Sequence, residues 1–329
     1  MTALRRAVAL LCVFGAAIAS FGAAGQPAPG KHVVGFINSG PPAVNAKNVA
    51  AFRAGMAELG YVEGRNLEIV FRWAEQRTDL LPTLASELVA MKPEVIVSTG
   101  GAPTVRAVKA ATATVPIVFI TGNPVVEQIV PSLARPGGNL TGFAVLAGDL
   151  EAKRLEMLKL LLPRAKRIAI VWNPAQPYVA DIVQNVEAAA RRLDMTLIQW
   201  KARSRQELET AFAEIAEAKA DALFVVADPL LGFERDRIVN FANSNRLPGI
   251  YFWREFAETG GLASYGTNLA AVYRRAATYV DKILKGAKPG DLPIEQPTTF
   301  ELVINRATAK ALGITISPAV LQRADEVID

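Results

Sequence analysis

Val33-Val34-Gly35-Phe36-Ile37-Asn38 is an apolar run that closes on Asn, and Ile168-Ala169-Ile170-Val171-Trp172-Asn173 says the same thing a second time. Each run reads as a strand and leads into a helical stretch, 43–59 and 175–193. A second strand with aromatic residues follows in each case, 67–73 and 196–200, and then a second helix, 80–91 and 206–218. A third pair of strands has a Lys-X-acid lead-in: Lys92-Pro93-Glu94 before 95–98, and Lys219-Ala220-Asp221 before 222–227. The fourth pair starts from Val115-Pro116 and Leu247-Pro248. Matching positions lie roughly 130 residues apart, far beyond the ~20–50-residue periods of solenoids. The chain is therefore a duplicated βα unit, and any site is expected between two similar lobes.

A chain of 329 residues accommodates about two domains of ordinary size. With 51% hydrophobic and 20% charged residues it can bury two cores, and it lacks the composition of a disordered chain. The net charge of +5 is spread along the sequence, with no basic cluster interleaved with aromatics. A nucleic-acid partner is accordingly not expected, since that footprint requires a concentrated basic face.

Residues 1–25 read as a secretory signal. Arg5-Arg6 supply the positive start, the stretch from Ala7 to Phe21 is apolar but short for a bilayer span, and Gly22-Ala23-Ala24-Gly25 offer small residues for cleavage near Gly25. Cys12 lies inside this segment, so the mature protein would hold no cysteine and no disulfide.

The strand–helix alternation predicts an α/β fold: two similar doubly wound parallel-sheet lobes joined by a three-strand hinge, with a ligand cleft between them. The N-terminal lobe is expected to comprise residues 31–143 plus 266–297, and the C-terminal lobe 146–262 plus 300–329. Strands at 143–146, 262–265 and 300–304 mark the crossings, with Asp149 as N-cap of a helix over 150–162. Three crossings favour hinge closure around a ligand.

In open parallel sheets, ligands bind at the carboxyl ends of the strands. In lobe one these ends carry Asn38-Ser39, Ser98-Thr99-Gly100-Gly101-Ala102-Pro103-Thr104 and Thr121-Gly122-Asn123-Pro124. The lobe-two counterparts are Asn173-Pro174 and Asp228-Pro229. Asn, Asp or a small residue before Pro, straight after a strand, is the way a helix starts. Free amides and a positive dipole end then face the ligand, and Gly100, Gly101 and Gly122 let it approach the backbone. Lobe one thus offers an anion site suited to a carboxylate. The candidate contacts there are Asn38, Ser39, Gly100, Gly101, Ala102, Thr104, Thr121, Gly122 and Asn123. In lobe two, Asn173 and Asp228 stand opposite, and Asp228 either caps its own helix or meets a cation. Trp253 and Tyr265 are the aromatic candidates, whereas Tyr251 and Phe252 read as core.

Catalytic constellations are missing. The one histidine, His32, begins the mature chain, and no paired carboxylates sit together at a strand end. Gly25-x-x-x-x-Gly30-Lys31 matches a phosphate loop only superficially, because it precedes a strand and continues with His32. No enzyme activity, metal or cofactor is expected.

Several segments together carry a family resemblance: Phe52-Arg53-Ala54-Gly55-Met56-Ala57-Glu58-Leu59-Gly60-Tyr61-Val62-Glu63-Gly64, Arg135-Pro136-Gly137-Gly138-Asn139-Leu140-Thr141-Gly142 and Arg254-Glu255-Phe256 with Gly260-Gly261-Leu262. Ser264-Tyr265-Gly266-Thr267 and Phe300-Glu301-Leu302-Val303-Ile304-Asn305 complete them. The chain resembles, over nearly all of its mature length, the solute-binding components of ABC transporters in the family that includes tryptophan- and tyrosine-uptake binding proteins. That resemblance implies a type I periplasmic-binding fold, a periplasmic monomer, a small-molecule solute in the cleft, and delivery to an ABC permease and its ATPase. Many members carry a twin-arginine leader, from which Arg5-Arg6-Ala7-Val8 departs.

Lobe-one amides suit an α-carboxylate, Asp228 suits an α-ammonium, and Trp253 or Tyr265 suits an apolar or aromatic side chain. The expected ligand is therefore an amino acid. Another small carboxylate or amide, or a sensing subunit of the same fold, is the alternative.

Overall fold

The computed structural model describes residues 30–145, 150–175 and 178–329. The expected leader, the Asp149 cap and residue 146 of the expected strand lie outside these residues. Everything below concerns the compact unit Lys31–Asp329.

The first half runs β1 (His32–Asn38), α1 (Ala46–Glu58), β2 (Leu67–Trp73), α2 (Leu81–Ala90), β3 (Val95–Thr99), α3 (Ala102–Ala111), β4 (Ile117–Thr121) and β5 (Leu140–Ala144). The second runs α4 (Leu150–Leu161), β6 (Arg167–Trp172), α5 (Val179–Arg192), β7 (Thr196–Lys201), α6 (Arg205–Glu217), β8 (Ala222–Val225), α7 (Pro229–Phe233), α8 (Arg235–Ser244), β9 (Gly249–Tyr251), α9 (Arg254–Glu258) and β10 (Ala263–Gly266). After these come α10 (Leu269–Leu284), β11 (Glu301–Asn305), α11 (Arg306–Leu312), α12 (Pro318–Leu321) and β12 (Glu326–Ile328).

The duplication is explicit in the sheets. One has the order β2-β1-β3-β4-β5, and the other repeats it as β7-β6-β8-β9-β10 before adding β11 and β12. All pairs in the repeated part are parallel. β11 is the exception, pairing antiparallel with β10 through Gly266↔Glu301. Its direction follows from connectivity: the chain leaves the second sheet at the carboxyl end of β10, adds α10 to the first lobe, and returns at that same end.

Both faces of each sheet are covered, so the central strands are apolar on both sides. Val34 and Phe36 of β1 join Phe52 and Met56 of α1 and Ala276 and Val280 of α10 on one face. Ile37 joins Leu88, Val105 and Phe119 on the other. In the second lobe Ile168 and Ile170 face the core under α4 and α5, whereas Ala169 and Val171 face Leu208, Phe212 and Ile238. Residues 145 and 267 meet where the Thr267 hydroxyl donates to the Val145 carbonyl (3.2 Å), which ties two of the inter-lobe connections together.

Candidate functional site

Asparagine does the same local job in both lobes. At the end of β1, Asn38 Oδ1 accepts from the Gly40 amide (2.6 Å) and Nδ2 donates to Thr99 Oγ1 (2.7 Å). After β6, Asn173 Oδ1 accepts from the Ala175 amide (2.9 Å) and Nδ2 donates to Asp228 Oδ1 (3.2 Å). Each Asn folds its own backbone into a turn and pins the neighbouring strand end, opening the crevice between β1 and β3 or between β6 and β8. The two crevices face each other across one cleft.

On the first wall, β3 runs into α3 through Gly100 (φ 88°) and Gly101 (φ 95°), a left-handed path that favours glycine. The Ser39 hydroxyl donates to the Gly100 carbonyl (2.7 Å) and fixes that path. Gly101 is the N-cap of α3 and has no side chain to cap it. Among the described residues, the amides of Gly101 and Ala102 have no protein acceptor. They open into the cleft at the positive end of a ten-residue helix, an arrangement that accepts an anion.

On the second wall, Asp228 does cap its helix: Oδ1 accepts from the Leu230 and Leu231 amides (2.9 and 3.3 Å). Oδ2 has no hydrogen-bond partner among the described residues. Asp228 is only 8% exposed, and burial pushes its carboxyl up to about 6 even though its hydrogen bonds pull the other way. A cation at Oδ2 would relieve this desolvation. Capping and cation binding are thus compatible, one oxygen for each.

Two adjoining chambers share Gly100, Gly101, Gly122, Asp228, Pro229 and Phe233. The inner one is bounded by Val44, Ile120, Val145, Leu269, Tyr273 and Trp253, with Asn38, Asn45, Asn48, Thr121, Arg235 and Glu255 as its polar part. The Trp253 ring lies over Gly232 of α7, where a Cβ would come within 2.1 Å of it. The outer chamber adds Ser39, Gln76, Ala102, Glu127, Asn173 and Tyr178.

Of the sequence candidates, Asn38, Ser39, Gly100, Gly101, Ala102, Thr121, Gly122, Asn173, Asp228 and Trp253 line one chamber or both. Three others lie elsewhere. Thr104 is fully buried within α3. Asn123 turns its side chain back to the Val126 amide (3.3 Å). Tyr265 sits on the core of the second lobe against Phe300 (6.3 Å between rings), with its carbonyl accepting from Arg154 Nε (2.8 Å). The carboxyl end of β10 is where the chain crosses, so its residues serve the connection.

Residues not foreseen from sequence join the lobes. Glu127 is 2% exposed and accepts from Thr121 Oγ1 (2.7 Å), the Asn123 amide (3.2 Å) and, from the opposite lobe, the Tyr178 hydroxyl (2.9 Å). Burial and the Glu127 charge push that hydroxyl far above the usual phenol range, so it remains a donor. Gln76 Nε2 donates across the cleft to Glu234 (2.9 Å), Lys47 pairs with Glu258, and Gly40 meets the Phe233 ring so closely that a Cβ would approach to 2.5 Å. The only sequence hint was the Asn123-Pro124-x-x-Glu127 spacing, which resembles a helix start although no helix forms there.

Comparison with known proteins agrees with this geometry. The family described as ABC transporter substrate binding protein matches residues 34–328. A tyrosine-binding protein of Clostridioides difficile is 28% identical over 265 residues, 80% of this chain and 75% of that protein. A conserved domain protein from Vibrio cholerae superposes with a TM-score of 0.81 at 30% identity, covering 90% of this chain and 99% of the other. An ABC domain from Streptococcus pneumoniae, solved in complex with L-Trp, gives a TM-score of 0.82 at 25% identity, covering 91% and 100%. Two duplicated lobes, a cleft lined at the strand ends, and a family match across nearly the whole described chain lead to one conclusion: this protein belongs to the ABC transporter substrate-binding proteins, a non-enzymatic family that binds solutes outside the cytoplasm.

Proposed function

We propose that the protein captures an α-amino acid with an apolar or aromatic side chain by closing its lobes, and delivers it to a membrane permease driven by an ATPase. The observation that carries this reading is the pairing, on opposite walls of one cleft, of the Gly101 and Ala102 amides with the free oxygen of Asp228. An α-carboxylate fits the first and an α-ammonium the second. The inner chamber, mostly apolar, takes the side chain. The relatives support an aromatic ligand, one being a tyrosine-binding protein and another having been solved with L-Trp. The protein would act as a monomer in the periplasm once its leader is removed near Gly25.

A second reading, a small carboxylate or amide without an amine, is favoured by one observation: Asp228 Oδ1 is already occupied by the α7 cap and Asn173. A thermal-shift screen of the twenty amino acids against small carboxylates and amides separates the two. Amino acids are expected to raise the melting temperature, and stabilisation only by ligands lacking an amine would overturn the first reading.

A further inference from the structure

A buried ion pair lies outside both chambers of the cleft, beside the crossings between the lobes. Arg154, fully buried on α4, donates from Nη1 to Glu151 Oε2 (2.6 Å) one turn earlier, and Glu151 is itself buried. The guanidinium also lies over the rings of Phe224 and Phe252, 5.9 and 5.7 Å from their centres. Such a pair is a poor source of stability, because desolvating two charges offsets most of their attraction and apolar residues could fill the same space. What apolar residues cannot supply is direction. Both side chains aim further hydrogen bonds at backbone groups.

Glu151 Oε1 accepts from the amide of Ala227 (3.1 Å), the residue that precedes Asp228 at the cleft wall. Arg154 Nε donates to the carbonyl of Tyr265 (2.8 Å), near the end of β10 where the chain crosses towards α10 in the first lobe. α4 itself begins at Leu150, soon after the chain leaves β5 of the first lobe. One helical turn is thus joined through the chain to one crossing, and by hydrogen bonds to a second crossing and to the strand end that carries Asp228. The same two crossings are tied to each other again by the Thr267 hydroxyl on the Val145 carbonyl.

We propose that Glu151 and Arg154 are positioning residues for closure: they hold the Asp228 strand end and two of the inter-lobe connections as one rigid piece. A ligand that shifts the strand end then shifts the hinge with it. This rests on the reading in which the lobes close on a solute, and not on which solute it is. Without the pair, a ligand would still meet the cleft wall, but that contact would no longer set the angle between the lobes. Coupling between separated parts needs a contiguous set of rigid contacts, and here it consists of three hydrogen bonds and one helical turn.

The test places spin labels on Val126→Cys in the first lobe and Gln206→Cys in the second, both exposed, on a Cys12→Ala background. Pulsed electron spin resonance then reads the distance between lobes, without ligand and with saturating L-tyrosine or L-tryptophan. Glu151→Gln combined with Arg154→Met removes both charges while keeping an acceptor for Ala227. This double variant is expected to melt within a few degrees of the otherwise unaltered protein, yet to broaden the distance distribution with and without ligand. Its ligand affinity should fall by roughly two- to thirtyfold. Arg154→Lys keeps the charge but not the fork that reaches Glu151 and Tyr265 together, and should fall between the two. Distributions that superpose would overturn the positioning role, even with a lowered melting temperature. An otherwise unaltered protein that binds ligand with no change in distance would overturn closure, and this role with it. If neither amino acid binds, the ligand-free distributions still decide the role, and the amino-acid reading fails separately. Hydrogen exchange on the unaltered protein needs no variant to fold. The Ala227 amide and the amides of residues 264–266 should open with one shared free energy, and independent opening would overturn the proposal.

Discussion

The Tyr178 hydroxyl donates to Glu127 Oε1 at 2.9 Å, and the two residues belong to opposite lobes. The same carboxylate holds Thr121 and the Asn123 amide, which flank Gly122 at the cleft wall. One side chain thus ties the shape of the binding loop to the approach of the other lobe. The bond exists only while the lobes are together, so its energy enters the closed state alone.

Tyr178→Phe should therefore weaken ligand binding by about 1–2 kcal/mol, the size of a hydrogen bond to a charged acceptor with some compensation. The loss should appear as faster dissociation in stopped-flow measurements, with the melting temperature of the free protein nearly unchanged. An unaltered dissociation rate would remove the latch role.

Gly40→Ala tests closure directly. Gly40 does not need a left-handed backbone, yet an added methyl would meet the Phe233 ring at 2.5 Å from the other lobe. Small-angle scattering with saturating ligand should show less compaction than in the unaltered protein, and affinity should fall by about tenfold as closure is opposed. Gly101→Val, whose Cβ would meet Pro229 at 2.9 Å, should act in the same direction and more strongly because φ is 95° there.

Asp228→Asn separates capping from cation binding. Asparagine is as good an N-cap as aspartate, so the fold should keep its melting temperature within a few degrees. Affinity for an amino acid should nevertheless fall by about 2–5 kcal/mol, as when a buried charge pair loses one partner. Retained affinity measured by calorimetry would make Asp228 purely a cap.

Acidity should act through the same carboxyl. Burial raises Asp228 in the folded protein to about 6, above its value in the unfolded chain. Its contribution to fold stability is therefore fullest below the unfolded value and is lost as pH rises through about 6. An ammonium ligand needs the ionised form, so amino-acid affinity should drop below pH 6 by up to tenfold per unit, with a proton released on binding. Calorimetry between pH 5 and 7.5 in two buffers of different ionisation enthalpy reads both effects, and a flat profile would argue for a ligand without an amine.

The duplication was legible because it is written in consecutive apolar residues that end in Asn38 and Asn173, whereas the order of the strands in each sheet came from the structure. The direction of β11 was not, since Phe300 to Asn305 spells an apolar strand whichever way it runs, and only the route of the chain decides. At the site, Gly100, Gly101 and Asp228 could be read because strand ends and helix starts are local features. Glu127, Tyr178, Asn48, Arg235 and Glu255 could not, since each looks like an ordinary polar residue until closure of two lobes brings it to the cleft. Tyr265 was misplaced for the converse reason: a strand end that is also a crossing faces Phe300, away from the chambers.

The late arrival of α10 has a consequence for how the protein is made. Phe52 and Met56 of α1 are sealed by Ala276 and Val280, which follow β6 to β10 of the second lobe in sequence. A nascent chain that has already supplied all five strands of the first sheet still has one face of that sheet covered by α1 without its partner α10. The first lobe therefore completes only after the ribosome has passed Leu284, and no N-terminal fragment ending before α10 should fold as an independent lobe.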